Sequence, residues 1–176
     1  MPLMDTYPPF LAELLTLPCR MPLGPGTPDR SATDKLRGLD VAAAFAPATV
    51  RDVGMARACL AGLWLRFNCL DEAHGVSQQL PTPEGSFWHA ILHRREPDPE
   101  NAKYWWRRVG SHPVLQQLVE QAPALGYAYT DPCTFVDHCE RVREKGGDDE
   151  KVAQRVQELE WRLLFDWCYR RAVEPA

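Results

Sequence analysis

The sequence lacks the long apolar runs and the positive charge that mark several functional classes. No stretch approaches the roughly 20 consecutive apolar residues that a membrane-spanning helix needs. The net charge is −4 at pH 7, which disfavours a general binder of nucleic acids or anionic membranes, because both attract a positive protein surface. We therefore expect neither a nucleic acid nor a membrane among its partners.

Motifs of known chemistry are also missing from the cysteines, glycines and serines. The six cysteines form no Cys-x-x-Cys pair, which disfavours a zinc ribbon. The glycines form no phosphate-cradling loop, and no serine has the glycine-framed setting of a hydrolase nucleophile. The first residues show no basic lead-in before a long apolar stretch, so we expect no signal peptide, reduced thiols and a cytoplasmic location.

Helical periodicity dominates what is present. Of the 176 residues, 45% are apolar and 25% are charged, which is ordinary for a folded domain. No alternating run of β-branched residues competes with the helical spacing. We predict an all-α protein, a compact array of antiparallel helical hairpins with a long C-terminal helix over about 148–173, whose acidic first turn and basic last turn match the helix dipole.

The N-terminal part differs from the rest in its proline and glycine content. A short helix is predicted over 7–17, a loop over 18–34, and a weak helix over 35–45. We interpret residues 1–48 as an arm with a short helix and a Pro/Gly-rich loop. Residues 49–176 are then the helical domain on which this arm packs.

Two short segments, DEAH at 71–74 and ENAK at 100–103, resemble each other in position and in their alanine. Each opens the second helix of a predicted pair, and a small residue at such a crossing is typical of tetratricopeptide hairpins. Their spacing differs from the roughly 34 residues of that repeat. The similarity of the two segments therefore indicates helical hairpins, and it leaves open whether they resemble tetratricopeptide repeats.

The side chains that carry chemistry are concentrated in residues 87–113, FWHAILHRREPDPENAKYWWRRVGSHP. This stretch holds three of the six tryptophans and three of the five histidines, on two predicted helices that meet at a Pro-Asp-Pro turn. Aromatic rings beside arginine and histidine are typical of binding hot spots, although such rings more often belong to a core. The candidate ligand-binding residues are His74, Trp88, His89, His93, Arg94, Arg95, Tyr104, Trp105, Arg107, Arg108 and His112.

Two histidines of this stretch have metal-binding spacing. His89 and His93 are four residues apart and Glu96 follows three later, so all three side chains project along one side of a helix. The candidate metal set is His89, His93 and Glu96 with a divalent cation, and a further ligand is available from His74, His112 or Asp166. The alternative is that these histidines only hydrogen-bond to the backbone and to carboxylates. This alternative is favoured, because short motifs often occur without a metal site.

The arginines offer a second kind of site. Because neighbouring residues of a helix lie about 100° apart, we expect one of Arg94/Arg95 and one of Arg107/Arg108 to point inward. An inward pair beside a helix N-terminus can hold a phosphate or a carboxylate. Pairing with acidic side chains of the chain itself is favoured, and Asp166, which lies in an apolar stretch, is the expected buried-network partner.

A resemblance adds to this interpretation. Residues 88–113, together with LDEAHGVSQ at 70–78 and EWRLLFDWCYR at 160–170, resemble the signature of an uncharacterised family of bacterial proteins. The resemblance covers about residues 50–173 and implies a bacterial cytosolic protein. It implies no activity.

Three hypotheses about function follow from these residues. The leading one is a helical module that binds a small anionic or planar ligand, or a partner protein segment, in a groove around residues 87–113. The alternative is a metal-dependent enzyme with a site based on His89 and His93. A structural role, in which the stretch is a salt-bridged core, is the third, so whether the protein is an enzyme stays open at this point.

Overall fold

A computed structural model describes residues 7–174 of the chain. Within that range the chain forms ten α-helices, one 3-10 turn (Ala122–Leu125) and no β-strand, so the all-α prediction and the long C-terminal helix are confirmed. The helices are α1 (Pro9–Thr16), α2 (Arg30–Leu36), α3 (Val41–Phe45), α4 (Val53–Arg66), α5 (Leu70–Ser77), α6 (Pro83–Arg95), α7 (Pro99–Val109), α8 (Pro113–Gln121), α9 (Pro132–Val142) and α10 (Asp148–Val173).

Side-chain caps fix where many of these helices begin. Asp52 caps α4, Thr82 caps α6, Asp98 caps α7 and Asp131 caps α9, each by accepting a hydrogen bond from a backbone N–H of the first turn. A proline follows at once in α6, α7 and α9, where its fixed φ suits a helix start and its missing N–H loses nothing. Each cap contributes about 1 kcal/mol.

Two sequence predictions for the arm are wrong. The stretch from Asp29 to Asp34 is not loop, because the Asp29 side chain accepts from the N–H groups of Ser31 and Ala32 and starts α2. The single helix predicted over 35–45 is divided, because Gly38 has a φ of +67° and ends α2 before Asp40 caps α3. Short capped helices replace the expected loop and weak helix.

The arm is packed into the same core as the later helices. Met21 and Leu23 are buried in the main apolar cluster, and the N–H of Asp29 donates to the carbonyl of Phe67 at 3.0 Å. The side-chain amide of Gln157 on α10 donates to the carbonyl oxygens of Met21 and Pro22 at 3.0 and 3.1 Å. Irregular backbone can be buried here because side chains satisfy its carbonyls.

Helix α6 lies at the centre of the molecule. Every residue from Glu84 to Arg95 is buried, because α4, α5 and α7 all pack against this helix. Consecutive helices pack against each other, α4 with α5 and α6 with α7, and Ala73 and Ala102 are buried. No helix among residues 7–174 is both long and apolar enough to cross a membrane.

Candidate metal centre

The site begins with the burial of α6. His89 and His93 lie one turn apart on this helix, and they retain only 2% and 7% of their accessible surface. Their rings stack with centroids 5.1 Å apart and planes inclined by 14°. The i, i+4 spacing therefore places two imidazoles side by side in the protein interior, as the sequence predicts for a shared centre.

A third imidazole comes from the neighbouring helix. His74 on α5 is half-buried, and its ring centroid lies 4.6 Å from that of His89 and 5.6 Å from that of His93. One ring nitrogen from each of the three histidines lies within 4.8 Å of the others. Of the further ligands considered from the sequence, His74 is the one that the fold brings into this cluster.

The environment of His89 keeps its ring neutral and fixed in place. Burial, followed by the proximity of His74 and His93, lowers the pKa of His89 to about 4. Trp105 on α7 stacks flat on the ring, with centroids 4.0 Å apart and planes inclined by 4°. Within residues 7–174 the Nδ1 atom of His89 is buried and has no hydrogen-bond partner. A buried polar atom without a partner is uncommon and calls for an explanation.

Glu96 lies behind His93 rather than inside the cluster. Its Oε2 atom is 2.7 Å from Nδ1 of His93, and because an ionised carboxylate can only accept, Nδ1 is the donor of this hydrogen bond. The amide of Asn101 is a more distant neighbour of the same nitrogen, at 3.4 Å. In metal sites such a carboxylate orients the ligating histidine and strengthens it as a base. Glu96, which the sequence predicts as a metal ligand, lies against Nδ1 of His93, and the group of three converging imidazoles does not include it.

His112 is held elsewhere. Its Nδ1 accepts from the N–H of Val114 at 3.2 Å and caps α8, while its Nε2 lies 3.5 Å from a carboxylate oxygen of Glu84. Glu84 also accepts from Nε1 of Trp167 at 2.9 Å. Burial raises the pKa of Glu84, but the neighbouring His112 ring and the hydrogen bond from Trp167 outweigh it and bring the pKa to about 2. This second buried network joins α6, α8 and α10.

Arg94 and Arg95 are both fully buried, so the expectation that one of them faces solvent is wrong. Arg94 forms a forked ion pair with Glu160 on α10, with one N–O distance of 3.3 Å, and a further bond to Gln157 at 3.3 Å. Burial lowers the pKa of Arg94 and Glu160 raises it, and the net shift is upward. Arg94 therefore stays charged and has its counter-charge inside the chain.

Arg95 has no carboxylate partner in the described part of the chain. It donates to the carbonyl oxygens of Gly24 and Leu65 at 3.2 and 2.7 Å, to that of Pro25 at 3.2 Å, and to the side chain of Asn68. Burial and the neighbouring Arg94 lower its pKa to about 10. It holds the arm against the end of α4.

The remaining candidate ligand-binding residues lie either in the core of the protein or on the outer side of α7. Trp88 is buried in the core. Arg107 and Arg108 are both exposed, which also differs from the one-in, one-out expectation. Tyr104 is 47% exposed, Trp105 is half-buried, and the Arg108 guanidinium lies 5.4 Å from the centre of the Trp105 ring. These side chains form a surface patch, and they do not surround a cavity with His89.

Asp166 also has a different partner from the one expected. It accepts a hydrogen bond from the Tyr7 hydroxyl, in the arm, and no histidine or arginine of residues 87–113 bonds to it. Two cavities, of about 800 and 430 Å³, both lie along α10 and share Asp166. Within residues 7–174, neither is lined by any residue of 87–113, where the groove was expected.

Sequence reasoning missed Glu84, Gln157 and Glu160. The signal for Glu160 was present, because it lies four residues from both Val156 and Leu164 and therefore on their apolar face. Glu84 gave no such signal, because a first-turn acid is usually explained by the helix dipole.

Comparisons with known proteins assign no relative. A scan against protein-family models, a search of curated proteins and a search of solved structures each found no match.

Proposed function

We propose that this protein binds a divalent transition-metal ion through His74, His89 and His93, and that the bound ion is its functional centre. The observation that carries the proposal is the convergence of one nitrogen from each ring to within 4.8 Å, on two helices that the core holds together. A group of three imidazoles is a common set of protein ligands for zinc.

Three further features favour a metal over a purely structural cluster. His89 has a buried nitrogen without a partner, its low pKa keeps a lone pair available at neutral pH, and Glu96 supports His93 from behind. A tetrahedral zinc ion with ligands at about 2.0–2.1 Å separates its ligand atoms by roughly 3.4 Å. The separations between the three nitrogens, which are at most 4.8 Å, would shorten towards this value on binding.

Three protein ligands leave one coordination position for water or a substrate. This is the arrangement of catalytic zinc sites, whereas structural zinc sites use four protein ligands. A zinc ion held by His74, His89 and His93 would lower the pKa of a bound water towards 7 and so supply a nucleophile. Metal-dependent hydrolysis or hydration is accordingly the reaction class that we propose for an enzyme built on this site.

The test is metal binding by protein purified without a polyhistidine tag and stripped with a chelator. We expect one zinc ion per chain by elemental analysis and calorimetry, and visible absorption typical of four-coordinate cobalt when Co²⁺ replaces it. His74→Ala is the informative variant, because His74 is half-buried and its loss should disturb folding least. His138→Ala is the matched control, since His138 lies on α9, packs beside Tyr127 and is outside the cluster.

Zinc bound to wild type and His138→Ala, but not to a folded His74→Ala protein, supports the proposal. Absence of stoichiometric zinc from the wild type, or unchanged affinity in folded His74→Ala protein, rejects it. Circular dichroism melts of each variant report whether it is folded.

We also propose that the protein acts in the cytosol. All six cysteines are free, and Cys59, Cys69, Cys139 and Cys168 are buried. A chain with this many thiols and no disulfide is typical of a reducing compartment.

A further inference from the structure

A cavity of about 800 Å³ opens between α10, the arm and the end of α8, away from the three histidines. This volume is in the range of small-molecule sites. Leu15, Leu159, Trp161 and Phe165 contribute apolar walls, and the rings of Trp161 and Phe165 stack at 4.9 Å. The cavity is therefore an apolar space large enough for a ligand of about ten carbon atoms.

Arg66, the last residue of α4, supplies a positive charge to this space. Its guanidinium lies 5.1 Å from the centre of the Trp161 ring, and one of its Nη atoms is 3.4 Å from the carbonyl oxygen of Leu15. Its Nε is buried without a hydrogen-bond partner, and Arg66 makes no ion pair with any residue in 7–174. A partly buried guanidinium without a counter-charge attracts an anion.

Two more arginines and three acidic residues also border the cavity. Arg155 and Arg162 are exposed at its edge, as are Glu120 and Glu158, so these four charges are well solvated. Asp166 is the acidic residue nearer the interior, and it is engaged by the Tyr7 hydroxyl. Burial raises the pKa of Asp166 to about 6, so the carboxylate is still mostly ionised at neutral pH. Asp166 thus has a hydrogen-bond partner inside the chain, whereas Arg66 is the inner charge of the cavity that has no counter-charge among residues 7–174.

We infer that this cavity binds a small amphipathic carboxylate, whose carboxylate group pairs with Arg66 and whose apolar body lies against Leu159, Trp161 and Phe165. The Nε and Nη atoms of Arg66 lie in one plane, so the guanidinium can donate two parallel hydrogen bonds to the two oxygens of a carboxylate. The apolar walls supply the larger part of the affinity, since affinity increases with the apolar area that is buried. The site is independent of the metal centre, because no residue is common to the two.

The experiment compares three probes with the same ten-carbon chain, namely decanoate, decanol and decylammonium, by calorimetry on the full-length protein. We expect decanoate to bind roughly tenfold tighter than decanol, because it gains a charge-assisted hydrogen bond. Arg66→Gln should remove that difference and leave the affinity for decanol unchanged. Arg57→Gln is the matched control, since Arg57 lies on the same helix, pairs with Gln79 and does not border the cavity.

A second variant tests the location without altering charge. Ala12→Phe fills the cavity from α1 and should abolish binding of all three probes. Thermal melts establish that each variant is folded. If Arg66→Gln unfolds, Arg66→Lys, which keeps the charge, replaces it. Arg66→Lys should retain the preference for decanoate over decylammonium. Equal affinities for the three probes, tighter binding of decylammonium, no binding, or decanoate binding to folded Ala12→Phe would each overturn the inference.

Discussion

Trp88 lies against the bare Cα of Gly62. A methyl group added at Gly62 would stand 2.7 Å from Cζ2 of the Trp88 ring, closer than carbon atoms approach without a clash. The carbonyl of Gly62 also accepts a 2.7 Å hydrogen bond from Nε1 of Trp161. One glycine on α4 therefore sets the distance of this helix from α6 and from α10.

Gly62→Ala should destabilise the protein although alanine is the better helix former. The gain in helix propensity is about 1 kcal/mol. Displacing the fully buried Trp88 ring costs roughly 1–3 kcal/mol. We expect a net loss in the free energy of unfolding, measured by urea denaturation. Gly75→Ala is the control, because a methyl group at this position of α5 meets nothing within 4 Å and should stabilise. Equal effects of the two substitutions would contradict the packing described for Gly62.

Removal of the negative charge at Glu160 should be severely destabilising. Glu160→Gln leaves the guanidinium of Arg94 fully buried without a counter-charge, and breaking such a pair costs roughly 3–5 kcal/mol. Glu158→Gln is the control, since Glu158 is exposed two residues earlier on α10. Chemical denaturation of both variants measures the difference.

A double variant separates the ion pair from its surroundings. Arg94→Met with Glu160→Met removes both charges at similar volume, and we expect it to be more stable than Glu160→Met alone. A double variant that is less stable than Glu160→Met would show that Arg94 contributes mainly through other contacts, such as its position 4.8 Å from the centre of the Phe135 ring.

The stability of the protein should depend on acid pH through Glu84. The pKa of Glu84 falls from 4.5 to about 2 in the folded protein, so its contribution is complete above about pH 5 and is lost as the pH falls towards 2. Full loss corresponds to roughly 3 kcal/mol at most. The difference in unfolding free energy between wild type and Glu84→Gln should therefore shrink over this window. A difference that stays constant between pH 6 and pH 3 would refute the assignment.

Glu96 should tune zinc affinity without being required for it. Carboxylates that hydrogen-bond to a ligating histidine typically change metal affinity 10–100-fold. We expect Glu96→Gln to weaken zinc binding in that range and Glu100→Gln, at the exposed start of α7, to leave it unchanged. Zinc at a hundred times its Kd should raise the unfolding free energy of the wild type by about 2.7 kcal/mol. Loss of all binding in Glu96→Gln would instead make Glu96 a ligand.

The sequence predicts the later helices well and the arm poorly. The bounds of α10 and of the α6–α7 hairpin follow from caps, prolines and apolar spacing, which are local signals. The arm fails because Asp29 and Asp40 cap short helices in a stretch whose prolines and glycines indicate a loop. Local signals compete there, and the contact of the arm with the core decides between them.

The candidate site shows the same division. The spacing of His89 and His93 follows from the sequence, but the arrival of His74 depends on how α5 packs against α6. Arg94 and Arg95 both point into protein because α6 has neighbours on every side, so a rule that assigns one face to solvent does not apply. The partner of Arg94 is Glu160 for a tertiary reason too, since the register of α10 against α6 cannot be read from either helix alone.

The hydrogen bonds that anchor the arm can form only after later parts of the chain have been synthesised. The carbonyls of Gly24 and Pro25 are made early, and their partner appears about 70 residues later. The carbonyls of Met21 and Pro22 accept from Gln157, which is synthesised later still. A growing chain on the ribosome therefore lacks the bonds from Arg95 until α6 has emerged and the bonds from Gln157 until α10 has emerged, so we expect the arm to settle late in folding.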